Sequence, residues 1–430
     1  MYKTVLYIVP TILIMFIALS NFKRGFLLYL LFQMIWYPDT QLFKIGGSWI
    51  NLNLISALYF VILYEIKYKK IKKKEIAFPY RTPMLCIGIS LILTSLTSLS
   101  GFASEFVKAV GLIFMDILVV YVMWKTIDSK EDFSFLFKGI TIIIFLACIY
   151  IFYEKITETN IVLDYKITCT SNKFETYRDF QQWDYRGYRC YSIFDHTICA
   201  CMIFSLYIAV VLNLFIKKGT YPFRALSLIT SFLCIPAMFF TQQRTGLFML
   251  FIASLSIVDF RKKKFWKFIA GSLIVLVIVF PFIIGKIGLL LSMFSSKYAG
   301  AVSGSSASMR FDQLAAIFQI MLLSPITGLG ENFQRFYTGV YAPRAMGYES
   351  LWFEQMAKHG MLGVLAYIFM IYYSVYVLSK RYKSKELLFI SLAYWVTYTL
   401  TSTPYFRIYF LYAILFYYIK DSKVYLNKYN

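Results

Sequence analysis

Residues 49–74 read WINLNLISALYFVILYEIKYKKIKKK. From Trp49 to Ile66 the run is apolar, broken only by Asn51, Asn53, Ser56 and Glu65. As a helix, such a run crosses most of a hydrocarbon core about 30 Å thick. The block Lys67–Lys74 that follows is the most basic in the chain, and basic connections mark the cytoplasmic side of a membrane. One stretch therefore predicts both a spanning helix and its direction.

Working outward, apolar runs of about 17 to 22 residues recur along the whole chain. Spans are expected near 4–20, 22–37, 49–66, 83–101, 105–124, 136–154, 197–216, 223–241, 245–260, 266–288, 361–379, 387–402 and 405–420. The stretch 2–20 lacks a small-x-small cleavage signature after Ser20, so it reads as the first span rather than a signal peptide. With Lys67–Lys74 inside, alternation puts Lys23-Arg24, Lys125–Lys138, Lys217-Lys218, Arg261–Lys267, Lys380–Lys385 and the Lys420–Lys428 tail on the same side. This agreement predicts an all-α integral membrane protein, 1–430 as one polytopic domain, of about 13 (12–14) transmembrane helices.

Composition agrees. The 430 residues are 59% hydrophobic and only 15% charged. A soluble domain is nearer half apolar and a quarter charged. The net charge of +22 points to cytoplasmic loops rather than nucleic acid, because no soluble basic module carries it. The seven cysteines show no metal-ligand spacing, and no metal or cofactor motif appears. Cys169 and Cys190 share one polar loop, where a disulfide and two free thiols are both open readings.

Two outer loops are long, about 155–196 and 289–360, and loops of that length are usually functional. The second contains a predicted helix after Ser308, with Phe311, Leu314, Ala315, Phe318 and Leu322 on one face. That face is expected on the bundle or in the membrane interface. Pro325 and Gly328-Leu-Gly330 end the helix. A further helix begins near Ser350 and runs into the span at 361.

Candidate chemistry gathers in these outer segments. Arg244, in TQQRTG (241–246), sits in a tight outer connection where positive charge is otherwise scarce, and a guanidinium fork suits phosphate oxygens. Arg310 heads the loop helix against the helix dipole, which favours an anionic partner. In GYESLWFEQMAKHGMLG (347–363), helical spacing separates the two carboxylates. Glu349 shares a face with Trp352, Phe353 and Met356, while Glu354 is spaced to pair with Lys358 as a solvated ion pair. A carboxylate bordering an aromatic surface is a candidate base. His359 and His196 read as packed or interfacial residues.

These features resemble the bacterial O-antigen ligase and polymerase superfamily of membrane glycosyltransferases. The likeness rests on the outer-loop arginine in TQQRTG, on SMRFDQLAAIFQIMLLSPITGLG (308–330), and on ESLWFEQMAKHGMLG (349–363) leading into a Gly-x-x-Gly helix start. Where ligases of the superfamily typically carry His-Asn, this chain has Glu349-Ser350, which fits a polymerase better.

The resemblance implies a GT-C-like membrane architecture and a site facing the exterior or periplasm of the cytoplasmic membrane. It also implies substrates that are glycans on undecaprenyl diphosphate in the bilayer, and a flippase and a chain-length regulator as pathway partners. In this reading Arg244 and Arg310 hold the donor diphosphate, Glu349 handles the acceptor proton, and Tyr348, Trp352 and Arg344 bind substrate. A ligase of the same fold, or a lipid-glycan flippase or transporter, is the alternative. Against a transporter stand the absence of an internal repeat and the apolar spans.

Overall fold

The computed structural model describes residues 2–35, 41–69, 77–98, 101–169, 188–218, 221–258, 307–331, 350–401 and 408–422. Helices dominate: α1 (Tyr2–Ser20), α2 (Phe22–Ile35), α3 (Leu52–Leu63), α4 (Arg81–Thr97), α5 (Phe102–Leu112), α6 (Val119–Thr126), α7 (Lys130–Thr157) and α8 (Ile161–Cys169). They continue with α9 (Thr197–Lys218), α10 (Arg224–Phe240), α11 (Arg244–Ser254), α12 (Ala307–Leu323), α13 (Leu351–Tyr372), α14 (Leu378–Tyr382), α15 (Lys385–Thr399) and α16 (Ile408–Lys420). A wider, π-type turn at Ile113–Leu118 joins α5 to α6.

One departure from the all-α expectation is a hairpin of β1 (Gln41–Ile45) and β2 (Ser48–Asn51), paired antiparallel. Its two-residue turn uses Gly46 and Gly47, both at positive φ. That geometry matches the twist of a hairpin and favours glycine at both places. The span expected from residue 49 consequently starts at Leu52, where the Asn51 side chain accepts from Leu54 N at 2.8 Å and caps α3.

Among the described residues, four helical stretches are long and apolar enough to cross a membrane: Phe102–Thr126, Lys130–Thr157, Thr197–Lys217 and Leu351–Tyr382. Five shorter apolar helices accompany them: Ile8–Ser20, Arg81–Thr97, Arg224–Phe240, Arg244–Ser254 and Tyr409–Lys420. The span expected at 266–288 lies outside the described residues. Among the described residues the long spans number four, so the expected count of about thirteen is not reached there.

Helix α9 is the central pillar, with 83% of its apolar window buried. A helix apolar on every side belongs inside a bundle. Its small and polar residues let α11 approach closely. A side chain at Gly246 would run into Cys201 Sγ and Ser205 Oγ.

The helix ends segregate by contact. Lys23 bridges Asp128 and Asp132 at 2.8 and 2.6 Å. Lys67 Nζ donates to Leu19 O at 3.1 Å, and Lys420 Nζ donates to Trp124 O at 2.8 Å. Lys217 pairs with Glu386. Each of these contacts joins two connections that charge alternation assigns to the same side. The opposite end carries the candidate site.

Candidate functional site

The end opposite the lysine contacts is organised by a buried carboxylate. Glu154, near the end of α7, accepts from Asn160 Nδ2 at 2.9 Å, Tyr188 Oη at 3.2 Å, Tyr191 N at 3.0 Å and Ser192 N at 2.6 Å. Several N–H donors around one carboxylate form a strong charge-assisted anchor. It joins the start of the first long loop to its far end. That far end is also fixed to the next connection. Cys190 N donates to Phe240 O at 3.1 Å, and Gln243 Nε2 donates to Thr197 Oγ1 at 2.8 Å. Cys190 is a buried thiol, while the Cys169 side chain lies outside the described residues.

This lacing positions the arginines. Arg244 is the first residue of α11. Arg310, on α12, and Arg189, in the first loop, both lie close enough to repel its charge. Arg310 Nη2 donates to Leu400 O at 3.3 Å. Burial pushes the Arg189 guanidinium down from its ordinary value. Burial and Arg189 together push the neighbouring His196 imidazole down to about 4, against a smaller opposing pull from Asp195. Arg189 and Arg310 thus both act on the Arg244 charge, and Arg189 acts on a neutral His196. Such a site suits a polyanion, since each arginine offers a planar fork to phosphate oxygens. Arg189 was missed by sequence reasoning; its signal was a run of three arginines, Arg178, Arg186 and Arg189, in the aromatic-rich first loop.

A second construction centres on Pro325–Gly330. Helix α13 breaks at Gly360, whose φ of 56° and ψ of −152° are non-helical. The turn fills the break. Met361 N and Leu362 N donate to Pro325 O and Ile326 O at 2.9 and 3.1 Å, and Leu329 N donates to Ala357 O at 2.9 Å. In a membrane a broken helix must find new partners for its freed backbone groups, and here the turn supplies them. Gly328 (φ 70°) packs against the Lys358–His359 backbone, where a Cβ would collide. The polar face of α4 holds the turn from the other side. Thr94 Oγ1 donates to Thr327 O at 2.7 Å, and Ser98 Oγ donates to Leu329 O at 3.0 Å.

The turn delivers Glu331 to Lys358 and His359. Lys358 Nζ lies 2.8 Å from Glu331 Oε2 and also pairs with Glu354. Burial raises the Glu331 carboxyl, but Lys358 and His359 outweigh it and hold the group well below the usual carboxylate range. The Thr94 hydroxyl proton is spent on Thr327 O, so His359 Nδ1 is the donor in its 3.1 Å contact with Thr94 Oγ1. Its Nε2 faces Glu331 Oε1 at 3.7 Å. These groups, with Asp116 and the tyrosines of α15 and α16, line a cavity of about 140 Å³.

This corrects one expectation. Glu354 and Lys358 do pair, but both are only 8% exposed, so the pair is internal rather than solvated. The i, i+4 spacing was legible; the cover supplied by α4 and the Gly328 turn was not. Sequence reading also passed over Asp116 and Glu331. An isolated acid within an apolar span was the available signal for Asp116. Glu331 had none beyond following a glycine turn.

The other predicted residues are distributed as follows. Glu349, Tyr348 and Arg344 lie outside the described residues. Next in sequence to Glu349, Ser350 Oγ donates to Thr399 O at 2.8 Å, beside the Leu400 carbonyl that Arg310 holds. Trp352 is half-buried at the start of α13. The face expected to pack from α12 is turned outward, with Phe311 71% and Leu322 77% exposed. Gln313, Ile317 and Ile320 are buried instead. Among the described residues no group of three His, Cys, Asp or Glu has the arrangement to hold a metal.

Comparison with known families agrees with the resemblance. Residues 229–368 match the family described as O-antigen ligase. The matched segment contains Arg244, Arg310, the Gly328 turn and the break in α13 at Gly360, and it supports the O-antigen ligase/polymerase superfamily. No curated protein matches the chain.

Proposed function

We propose, taking a chain of the O-antigen ligase/polymerase superfamily as the premise, that it polymerises lipid-linked oligosaccharide repeat units. The reaction takes place on the external face of the cytoplasmic membrane. The donor is a growing glycan on undecaprenyl diphosphate, and the acceptor is a sugar hydroxyl of the next lipid-linked unit. The observation that supports this reading is the approach of Arg189 and Arg310 to Arg244 at the outer end of the bundle.

The chemistry follows from the charges. The acceptor oxygen bonds to the donor's anomeric carbon as the bond from that carbon to the diphosphate oxygen breaks. The electron pair leaves with the diphosphate, and Arg244 and Arg310 stabilise the charge that develops. Diphosphate is already a good leaving group, so no general acid is required. The hydroxyl proton passes to Glu349 acting as base. Glu349 in place of the ligases' His-Asn favours a polymerase over a ligase. Tyr348, Trp352 and Arg344 contact the glycan.

The test is reconstitution of the purified chain in proteoliposomes with a defined undecaprenyl-diphosphate repeat unit. A ladder of products is expected. Arg244→Lys keeps the charge but loses the fork, so extension is expected to slow by about a hundredfold. A single transfer to a non-repeating acceptor, with no ladder, would identify a ligase instead.

A further inference from the structure

The charged cavity between α4, α5, α13, α15 and α16 takes no part in the diphosphate chemistry above. Four buried residues of its lining carry polar atoms that find no hydrogen-bond partner among the described residues: Glu354 Oε2, Gln355 Oε1, Trp395 Nε1 and Tyr398 Oη. None of these residues is more than 8% exposed. A buried polar group without a partner is costly, so four around one cavity call for a polar occupant. The set mixes acceptors (Glu354, Gln355) with donors (Trp395, Tyr398), as a hydroxyl-rich molecule requires.

The occupant's charge is also constrained. Asp116, Glu331 and Glu354 bring three carboxylates to the lining, and Lys358 is already shared between two of them. A diphosphate would be repelled here and drawn to the arginines. The remaining wall is aromatic. The Trp395 and Tyr398 rings lie 5.8 Å apart, and Tyr394 lies 5.9 Å from Tyr398. Aromatic faces beside carboxylate and amide oxygens match the apolar C–H faces and the hydroxyls of a pyranose ring.

We infer that this cavity is a binding site for one uncharged sugar residue, held by Glu354, Gln355, Trp395 and Tyr398. Its use as the seat of the acceptor sugar rests on the polymerase reading; the binding of a sugar does not.

The experiment is saturation-transfer NMR on the purified full-length protein in detergent, with free glucose, galactose and N-acetylglucosamine as probes and inorganic diphosphate as competitor. At least one sugar is expected to receive saturation, and diphosphate is expected not to displace it. Tyr398→Phe removes one hydroxyl and is expected to weaken binding by about fivefold. Gln355→Leu is a second variant, and unfolding midpoints identify any variant that fails to fold. If no sugar receives saturation, or both folded variants leave it unchanged, the cavity holds only water and the proposal falls. Displacement by diphosphate overturns it too. Sugar binding without a product ladder would remove the polymerase reading and leave this site. A ladder with sugar binding indifferent to both folded variants would do the reverse.

Discussion

At the scale of single residues, electrostatics and hydrogen bonding decide what each charged side chain does. Glu154 is near the end of an apolar run, and its value lies in the four donors around it. Glu154→Gln would keep the shape but turn an amide NH₂ toward N–H groups and remove the charge. A loss of about 2 kcal/mol of stability is expected, read from unfolding of the purified protein. His196 gives a pH-dependent counterpart. Its imidazole moves from an ordinary value of 6.5 to about 4 in the fold. The unfolded chain therefore binds a proton between about pH 6.5 and 4 that the folded chain refuses, and stability falls as pH falls through that window. His196→Gln is expected to flatten this part of the stability curve; an unchanged slope would show that another group is responsible. Both residues were legible as types, but nothing local announced their partners, which lie up to 38 positions away for Glu154.

At the scale of elements, the informative unit is the break in α13 and the turn that fills it. The glycines of SPITGLG read as a simple helix stop, and Gly360 as part of a helix start. Their complementarity appears only when the two segments meet. Gly328 has a positive φ and no room for a Cβ against the Lys358–His359 backbone. Gly328→Ala is expected to push the turn out of the break and abolish product formation, while the protein still inserts in the membrane. Full activity with alanine would mean that the turn is not held as described. The loop helix α12 teaches the opposite lesson. Its period was readable and its existence was borne out, but the buried face was not the most apolar one. In a membrane protein an apolar face can turn to lipid, so hydrophobicity alone does not say which side is inside.

At the scale of the whole molecule, charge sorts the two ends. The lysine contacts between connections at one end, and the candidate site at the other, predict opposite accessibility. A single cysteine introduced at Glu158 is expected to react with a membrane-impermeant maleimide from outside intact cells. One at Lys383 is expected to react only after permeabilisation. Reaction of both from the same side would overturn the orientation.

By itself the sequence determined the membrane class, the helical build, the sorting of basic connections and the arginines worth testing. These follow from composition and from local periodicity, which act over one or two helical turns. Only the tertiary structure decided that Arg189 joins Arg244 and Arg310, that Glu354 and Lys358 are internal, and that Glu331 closes a charged cavity with His359. Those facts depend on which helices become neighbours. Burial and electrostatic coupling are set by residues far apart in the chain, and no periodicity in a single segment records them.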